Sequence, residues 1–162
     1  MRYNLIRKMD ISNGPGVRVS VFMQGCQFHC KNCFNSETWD FNSGNEFNDE
    51  TISKILELCK KEYINGLSIL GGEPMNPVNV EGTTKLAKKF KETFPKKDLW
   101  MWSGYKYEDL KDKEVFNYVD VLVDGQYVDE LHDSTLKWRG SSNQRVIDIK
   151  KSKQSEQVVL IR

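Results

Sequence analysis

Three of the four cysteines in this 162-residue chain fall within one eight-residue window, Cys26, Cys30 and Cys33 in the stretch GCQFHCKNCF. The residues between them are short or polar, so the loop can curl and aim three sulfurs at one point. Three thiolates leave a metal centre incomplete. A structural zinc site closes with four ligands, whereas a centre meant to react keeps a position open. A cubane 4Fe–4S cluster held by three cysteines has one iron free to bind a substrate or cofactor directly. The spacing therefore favours a reactive iron–sulfur cluster. His29 could complete a zinc set, but it abuts Cys30, and neighbours in an extended loop point to opposite sides. Cys59 falls on the apolar stripe of an expected helix and reads as a buried core cysteine.

The elements that must position this loop alternate between strand-like and helix-like. Val17 to Gln24 is β-branched and apolar, reads as a strand, and runs straight into the cysteines. Asn48 to Tyr63 reads as a helix with Asn48 as N-cap and a Phe47/Ile52 staple. Gly66 to Leu70 reads as a buried strand ending in Gly71-Gly72. Val80 to Phe94 reads as a second helix, Leu99 to Trp102 as a third strand, Glu108 to Asn117 as a broken helix, and Val119 to Val123 as a fourth strand. Arg145 to Ile149 and Val158 to Ile161 could each be a short strand, and the tail after about Ile149 is variable in aspect. Strands separated by helices argue for an α/β fold with a mainly parallel sheet. In such sheets ligands sit at the carboxyl ends of the strands. The cysteine loop, Gly71-Gly72-Glu73-Pro74, Ser103-Gly104-Tyr105 and Asp124-Gly125-Gln126 are all expected at those ends.

Bulk properties narrow the setting. The length suits one domain over residues 1–162. A net charge of +1 gives no reason to expect a nucleic-acid partner. The lysines at 88, 89, 91, 96 and 97 read as a solvated helix face and the turn after it. No apolar stretch is long enough for a signal peptide or a membrane span, so no membrane association and a cytoplasmic address are expected. In a reducing compartment clustered cysteines serve metals or catalysis more often than disulfides.

Cys26-x3-Cys30-x2-Cys33 resembles the cluster motif of the radical S-adenosylmethionine enzymes, and Gly71-Gly72-Glu73-Pro74 is similar to the loop that follows their second strand. More specifically, Asp10-Ile11-Ser12-Asn13-Gly14-Pro15-Gly16-Val17-Arg18, Cys33-Phe34-Asn35-Ser36-Glu37-Thr38-Trp39, Val121-Leu122-Val123-Asp124-Gly125 and Trp138-Arg139-Gly140-Ser141-Ser142-Asn143-Gln144 resemble segments of the activating proteins of anaerobic (class III) ribonucleotide reductases. The likeness runs from about Tyr3 to Gln144. Phe34 stands where tyrosine is commoner, and Asn32 where many members of the superfamily carry an aromatic residue.

The resemblance implies a truncated radical-SAM-type partial (β/α) barrel. It implies that Cys26, Cys30 and Cys33 ligate a 4Fe–4S cluster. It also implies that Asn32, Cys33, Phe34, Gly71, Gly72 and Glu73 lie against S-adenosylmethionine, with glycines admitting close backbone approach and Glu73 accepting from the ligand's amino group. The implied reaction forms a 5′-deoxyadenosyl radical, which takes a hydrogen from a glycine near the C-terminus of the reductase's large subunit. A flavodoxin- or ferredoxin-like protein would supply the electron, and a homodimer is the family's habit.

Other residues stay open at this level. Arg18 serves equally as a ligand contact or a structural ion pair. Ser103, Tyr105 and Asp124 could touch ribose or line the opening, and Trp39, Trp100 and Trp102 read as core. Trp138 and Arg139 suit either docking of the reductase or closure of the cluster loop. An activase for another glycyl-radical enzyme, a small zinc-binding interaction module and a dithiol redox protein are the rival readings.

Overall fold

The computed structural model describes residues 1–161; Arg162, the last residue of the expected single domain, lies outside the described residues. One seven-stranded sheet organises the chain: β1 (Arg2–Asp10), β2 (Arg18–Gln24), β3 (Asn45–Glu46), β4 (Gly66–Gly71), β5 (Asp98–Ser103), β6 (Val121–Asp124) and β7 (Arg145–Asp148), in the spatial order β3-β1-β2-β4-β5-β6-β7. The central pairs β2–β4, β4–β5 and β5–β6 are parallel. The flanking pairs β1–β2, β1–β3 and β6–β7 are antiparallel. The fold is thus mixed α/β with a parallel middle and antiparallel margins.

Helices α1 (Asp49–Cys59) and α2 (Val80–Thr93) make the crossovers between parallel strands, as the alternating pattern requires. Asn48 caps α1 in a reciprocal box with Thr51: the Asn48 side chain accepts from the Thr51 N–H at 3.0 Å, and the Asn48 N–H donates to the Thr51 hydroxyl at 3.2 Å. Such a cap stabilises a helix by about 1 kcal/mol. α1 stops four residues short of the expected Tyr63. Lys97 departs from the expected solvated face, because its ammonium donates to the carbonyls of Cys59 (2.6 Å) and Lys61 (2.9 Å) at the end of α1. The broken helix resolves into α3 (Tyr107–Leu110) and a 3-10 turn at Glu114–Asn117. A further short helix, α4 (Ile149–Ser155), follows β7, and the expected strand at Val158 to Ile161 is reduced to one bridge, Ile147 to Leu160. Among the described residues, no helix is long and apolar enough to cross a membrane.

The two-residue side-chain period divides the sheet's faces. Val19, Val21, Met23, Leu67, Ile69 and Met101 point toward the helices and form the main core with Ile52, Ile55, Leu86 and Phe90. The opposite face carries Phe22, Leu70, Trp102 and Val123, which floor a cavity. A polar anchor crosses that second face near the strand starts. Arg18 is 0% exposed; its guanidinium donates to Ser68 Oγ (2.7 Å), the Pro15 carbonyl (3.0 Å) and the Leu67 carbonyl (3.1 Å). It also lies 2.7 Å from Asp98 Oδ1. Of its two open roles, Arg18 therefore takes the structural one.

Removing the buried guanidinium strands the Ser68 hydroxyl and the Pro15 and Leu67 carbonyls, while Asp98 keeps partial access to water. Arg18→Met is expected to lower unfolding free energy by about 3 kcal/mol in chemical denaturation. A loss below about 1 kcal/mol would reduce the contact to the level of a surface ion pair.

Candidate active site

The four loops at the carboxyl ends of β2, β4, β5 and β6 meet, as parallel strands dictate. They border one cavity of about 730 Å³ that reaches down the helix-free face of the sheet. Cys26, Cys30 and Cys33 line it, as do Phe34 and the turn Gly71-Gly72-Glu73. Asn32 is not among the bordering residues; its side chain turns outward and donates to Asp129 Oδ2 at 2.9 Å.

The cysteine loop is clamped at its ends. The Gly25 N–H donates to the Thr38 carbonyl (2.6 Å), and the Cys26 N–H to the Trp39 carbonyl (3.2 Å). The Gly72 N–H donates to the Thr38 hydroxyl (2.7 Å), and the Glu73 N–H to the Gly25 carbonyl (2.8 Å). Asn35 adds a bond from its side-chain amide to the Gly71 carbonyl at 3.2 Å. A Cβ on Gly71 would stand 2.3 Å from the Met23 carbonyl oxygen, and one on Gly72 2.5 Å from it. The close approach that demands these glycines is thus made to the end of β2, within the protein itself.

The Glu73 side chain ties its own turn to the loop after β5. It is 1% exposed; its Oε1 accepts from the Gly104 N–H (2.7 Å), and its Oε2 from the Ser103 hydroxyl (2.8 Å) and the Met75 N–H (2.9 Å). Burial pushes its carboxyl up to about 7, against the pull of those donors. A cation arriving in the cavity would favour its charged form. Ser103 therefore acts on Glu73 while also lining the cavity. Tyr105 accepts from the Gln27 side chain at 2.7 Å and packs edge-on against Phe28. Asp124 is buried, accepting from the Tyr107 N–H (2.8 Å) and pairing with Arg145.

The thiols suit a cluster. Burial pushes Cys26 up to about 11, and burial followed by the neighbouring Cys33 raises Cys30. Ligation must therefore displace protons from those two sulfurs. His29 stacks flat on Trp39 with ring centroids 4.4 Å apart, and Cys59 is 0% exposed in the core under α1. Among the described residues, no three His, Cys, Asp or Glu side chains converge as ligands of a single ion. Zinc demands such convergence at about 2.3 Å per sulfur. A cubane has its irons at separate corners, so each thiolate needs only its own iron. The donor set is three sulfurs beside open space, and its chemistry suits an iron–sulfur cluster.

Two features escaped the sequence reading. Trp39 and Trp102 line the cavity and do not belong wholly to the core, whereas Trp100 is 2% exposed. The excursion from Gly125 to Gln144 forms a wall. In it Trp138 packs against Trp100, Arg139 donates to the carbonyls of Ser142 and Gln144, and the Gln144 side chain bonds Gly140, Ser141 and Gly125.

A family described as a 4Fe-4S single cluster domain matches residues 12–147. The chain is 43% identical over 146 residues to the anaerobic ribonucleoside-triphosphate reductase-activating protein of Enterobacteria phage T4, covering 90% of this chain and 93% of that one. It is 40% identical over 148 residues to the protein of that name from Vibrio cholerae, covering 89% and 96%. It is 40% identical over 150 residues to the one from Escherichia coli K12, covering 90% and 97%. With the cysteine loop, its clamp and the cavity all inside the matched span, this chain belongs to the family of anaerobic ribonucleoside-triphosphate reductase-activating proteins.

Proposed function

We propose that this chain activates an anaerobic ribonucleotide reductase by generating a glycyl radical on its large subunit. The observation that carries the reading is the set of three thiols at the rim of a cavity, with the fourth cysteine sealed on the other face of the sheet. Bound there, a 4Fe–4S cluster and S-adenosylmethionine would supply a 5′-deoxyadenosyl radical able to take hydrogen from a glycine. The electron comes from an external flavodoxin- or ferredoxin-like donor. The sheet reads as a truncated radical-SAM-type partial barrel whose concave side is the cavity, and a homodimer belongs to the same reading.

The chain's own residues position and shield. Cys26, Cys30 and Cys33 hold the cluster. Cys33, Phe34, Gly71, Gly72 and Glu73 flank the S-adenosylmethionine position, with Asn32 setting the turn that presents them. The Glu73 carboxylate, already bonded by three internal donors, offers its one remaining lone pair and its charge to the ligand's ammonium. Phe22, Leu70, Trp102 and Val123 make an apolar floor that excludes water from a reactive carbon. The hard chemistry is the cofactors', and the protein supplies placement.

The cysteines are separable by substitution. Cys26→Ala, Cys30→Ala and Cys33→Ala should each abolish the brown 4Fe–4S absorbance of anaerobically reconstituted protein. Cys59→Ala should keep its iron and sulfide while losing about 1 kcal/mol of stability from the core. A colourless wild-type protein that holds zinc would overturn the cluster assignment.

The reaction has its own readout. Anaerobic incubation of the reconstituted chain with S-adenosylmethionine, a strong reductant and the reductase should yield the electron paramagnetic resonance doublet of a glycyl radical. Methionine release without that doublet would discard the reductase as substrate and keep the cofactor chemistry.

A further inference from the structure

The two halves of the cysteine loop are held by different parts of the protein. The first half is fastened to the loop after β5 and to the turn between β4 and α2. The Gln27 side chain donates to Tyr105 Oη (2.7 Å) and accepts from the Asn76 side chain (2.8 Å), and Phe28 packs on Tyr105. The second half, Cys30 to Phe34, meets the stretch from Gln126 to His132. Cys30 Sγ lies 3.8 Å from Gln126 Oε1, Phe34 packs on Tyr127 and His132, and the Asn32 side chain donates to Asp129.

Asn32 is the critical point of that second half. The Cys33 N–H donates to the Cys30 carbonyl at 3.1 Å, closing a tight turn between two of the three thiols. Asn32 occupies the third position of this turn with φ of 57°, in the left-handed region. That conformation costs an ordinary residue about 1 kcal/mol or more, and asparagine adopts it more readily than most. A group outside the turn holds its side chain. Asp129 does so through a charge-assisted bond of 2.9 Å, and it is itself held by the Tyr127 hydroxyl at 3.0 Å. The base is firm, since the Val128 N–H donates to the hydroxyl of the fully buried Ser141, and the Ser142 N–H to the Leu131 carbonyl.

We infer that Asp129 is a positioning residue for the cluster: by bonding Asn32 it holds the Cys30–Cys33 turn in the shape that presents both sulfurs to one cubane. The inference rests on the cluster reading above and adds to it a residue outside every motif that identified the site. Asp129 acts one step further out than the partners that bond a metal ligand directly, whose loss costs about 10- to 100-fold in metal affinity or activity.

The test compares wild type, Asp129→Ala, Asp129→Asn and Asn32→Ala, each reconstituted anaerobically with iron and sulfide. The readout is the rate at which a ferrous chelator strips the loaded protein. Asp129→Ala is expected to lose iron roughly tenfold faster, the low end of that range for an exposed bond. Asp129→Asn should stay close to wild type, because its amide oxygen accepts from Asn32 while its amide nitrogen donates to Tyr127. The double variant Asp129→Ala with Asn32→Ala should be no faster than Asn32→Ala alone, since Asp129 acts only through Asn32, and the melting temperature of metal-free Asp129→Ala should match that of the metal-free wild type. Wild-type kinetics in Asp129→Ala, or an Asp129→Asn as labile as Asp129→Ala, would overturn the positioning role and leave the cluster reading standing. A wild-type chain that takes up no iron and sulfide would overturn both.

Discussion

Thr38 holds the site together. Its carbonyl accepts from Gly25 at the start of the cysteine loop, and its hydroxyl accepts from Gly72 in the turn after β4 while donating to the Asn35 carbonyl at 2.5 Å. Thr38 is 1% exposed, so these bonds form away from water, where an unpaired backbone group is costly. The consequence is mechanical. A 14-residue irregular loop from Cys26 to Trp39 cannot stabilise itself by a ladder, but with its ends joined to each other and to the glycine turn it moves with the sheet. The thiols and Glu73 thereby keep one spatial relation.

The sheet explains why the site has room. Helices α1 and α2 cover one face of the parallel strands and bury the core there. The other face is left to irregular chain: the cysteine loop on one side and the Gly125–Gln144 excursion on the other. Aromatic and aliphatic side chains on that face give a dry floor, and polar backbone gathers at the strand ends above it. Glu73 joins these parts, since a single buried carboxylate collects donors from its own turn and from the loop after β5. Its raised pKa reflects how little water reaches it.

Much of this was legible in the residues. Strands rich in β-branched residues and helices with apolar stripes and a capped start announced themselves locally, so β2, β4, β5, β6, α1 and α2 stand within a few residues of expectation. β1 did not, because a strand carrying Arg2, Arg7 and Lys8 has no continuous apolar run, and its pairing with β2 supplies what its pattern lacks. β3, two residues long, exists only because β1 lies beside it. The site divides in the same way. Cysteine spacing and the glycine pair were visible as motifs, whereas Asp129 lies 97 positions from the Asn32 that it holds and carries no local signature.

The amino-acid sequence by itself determined the supply of donors: three thiols within eight residues and a fourth placed on a helical stripe, because spacing and periodicity are properties of order along the chain. Only the tertiary structure decided which neighbours the glycines, Glu73, Arg18 and Asn32 meet. Those contacts depend on which backbone and which charge lie within hydrogen-bonding reach after the strands pair. For Gly71 and Gly72 the neighbour is the end of β2, for Arg18 it is Asp98, and for Asn32 it is a carboxylate brought across from the far side of the site.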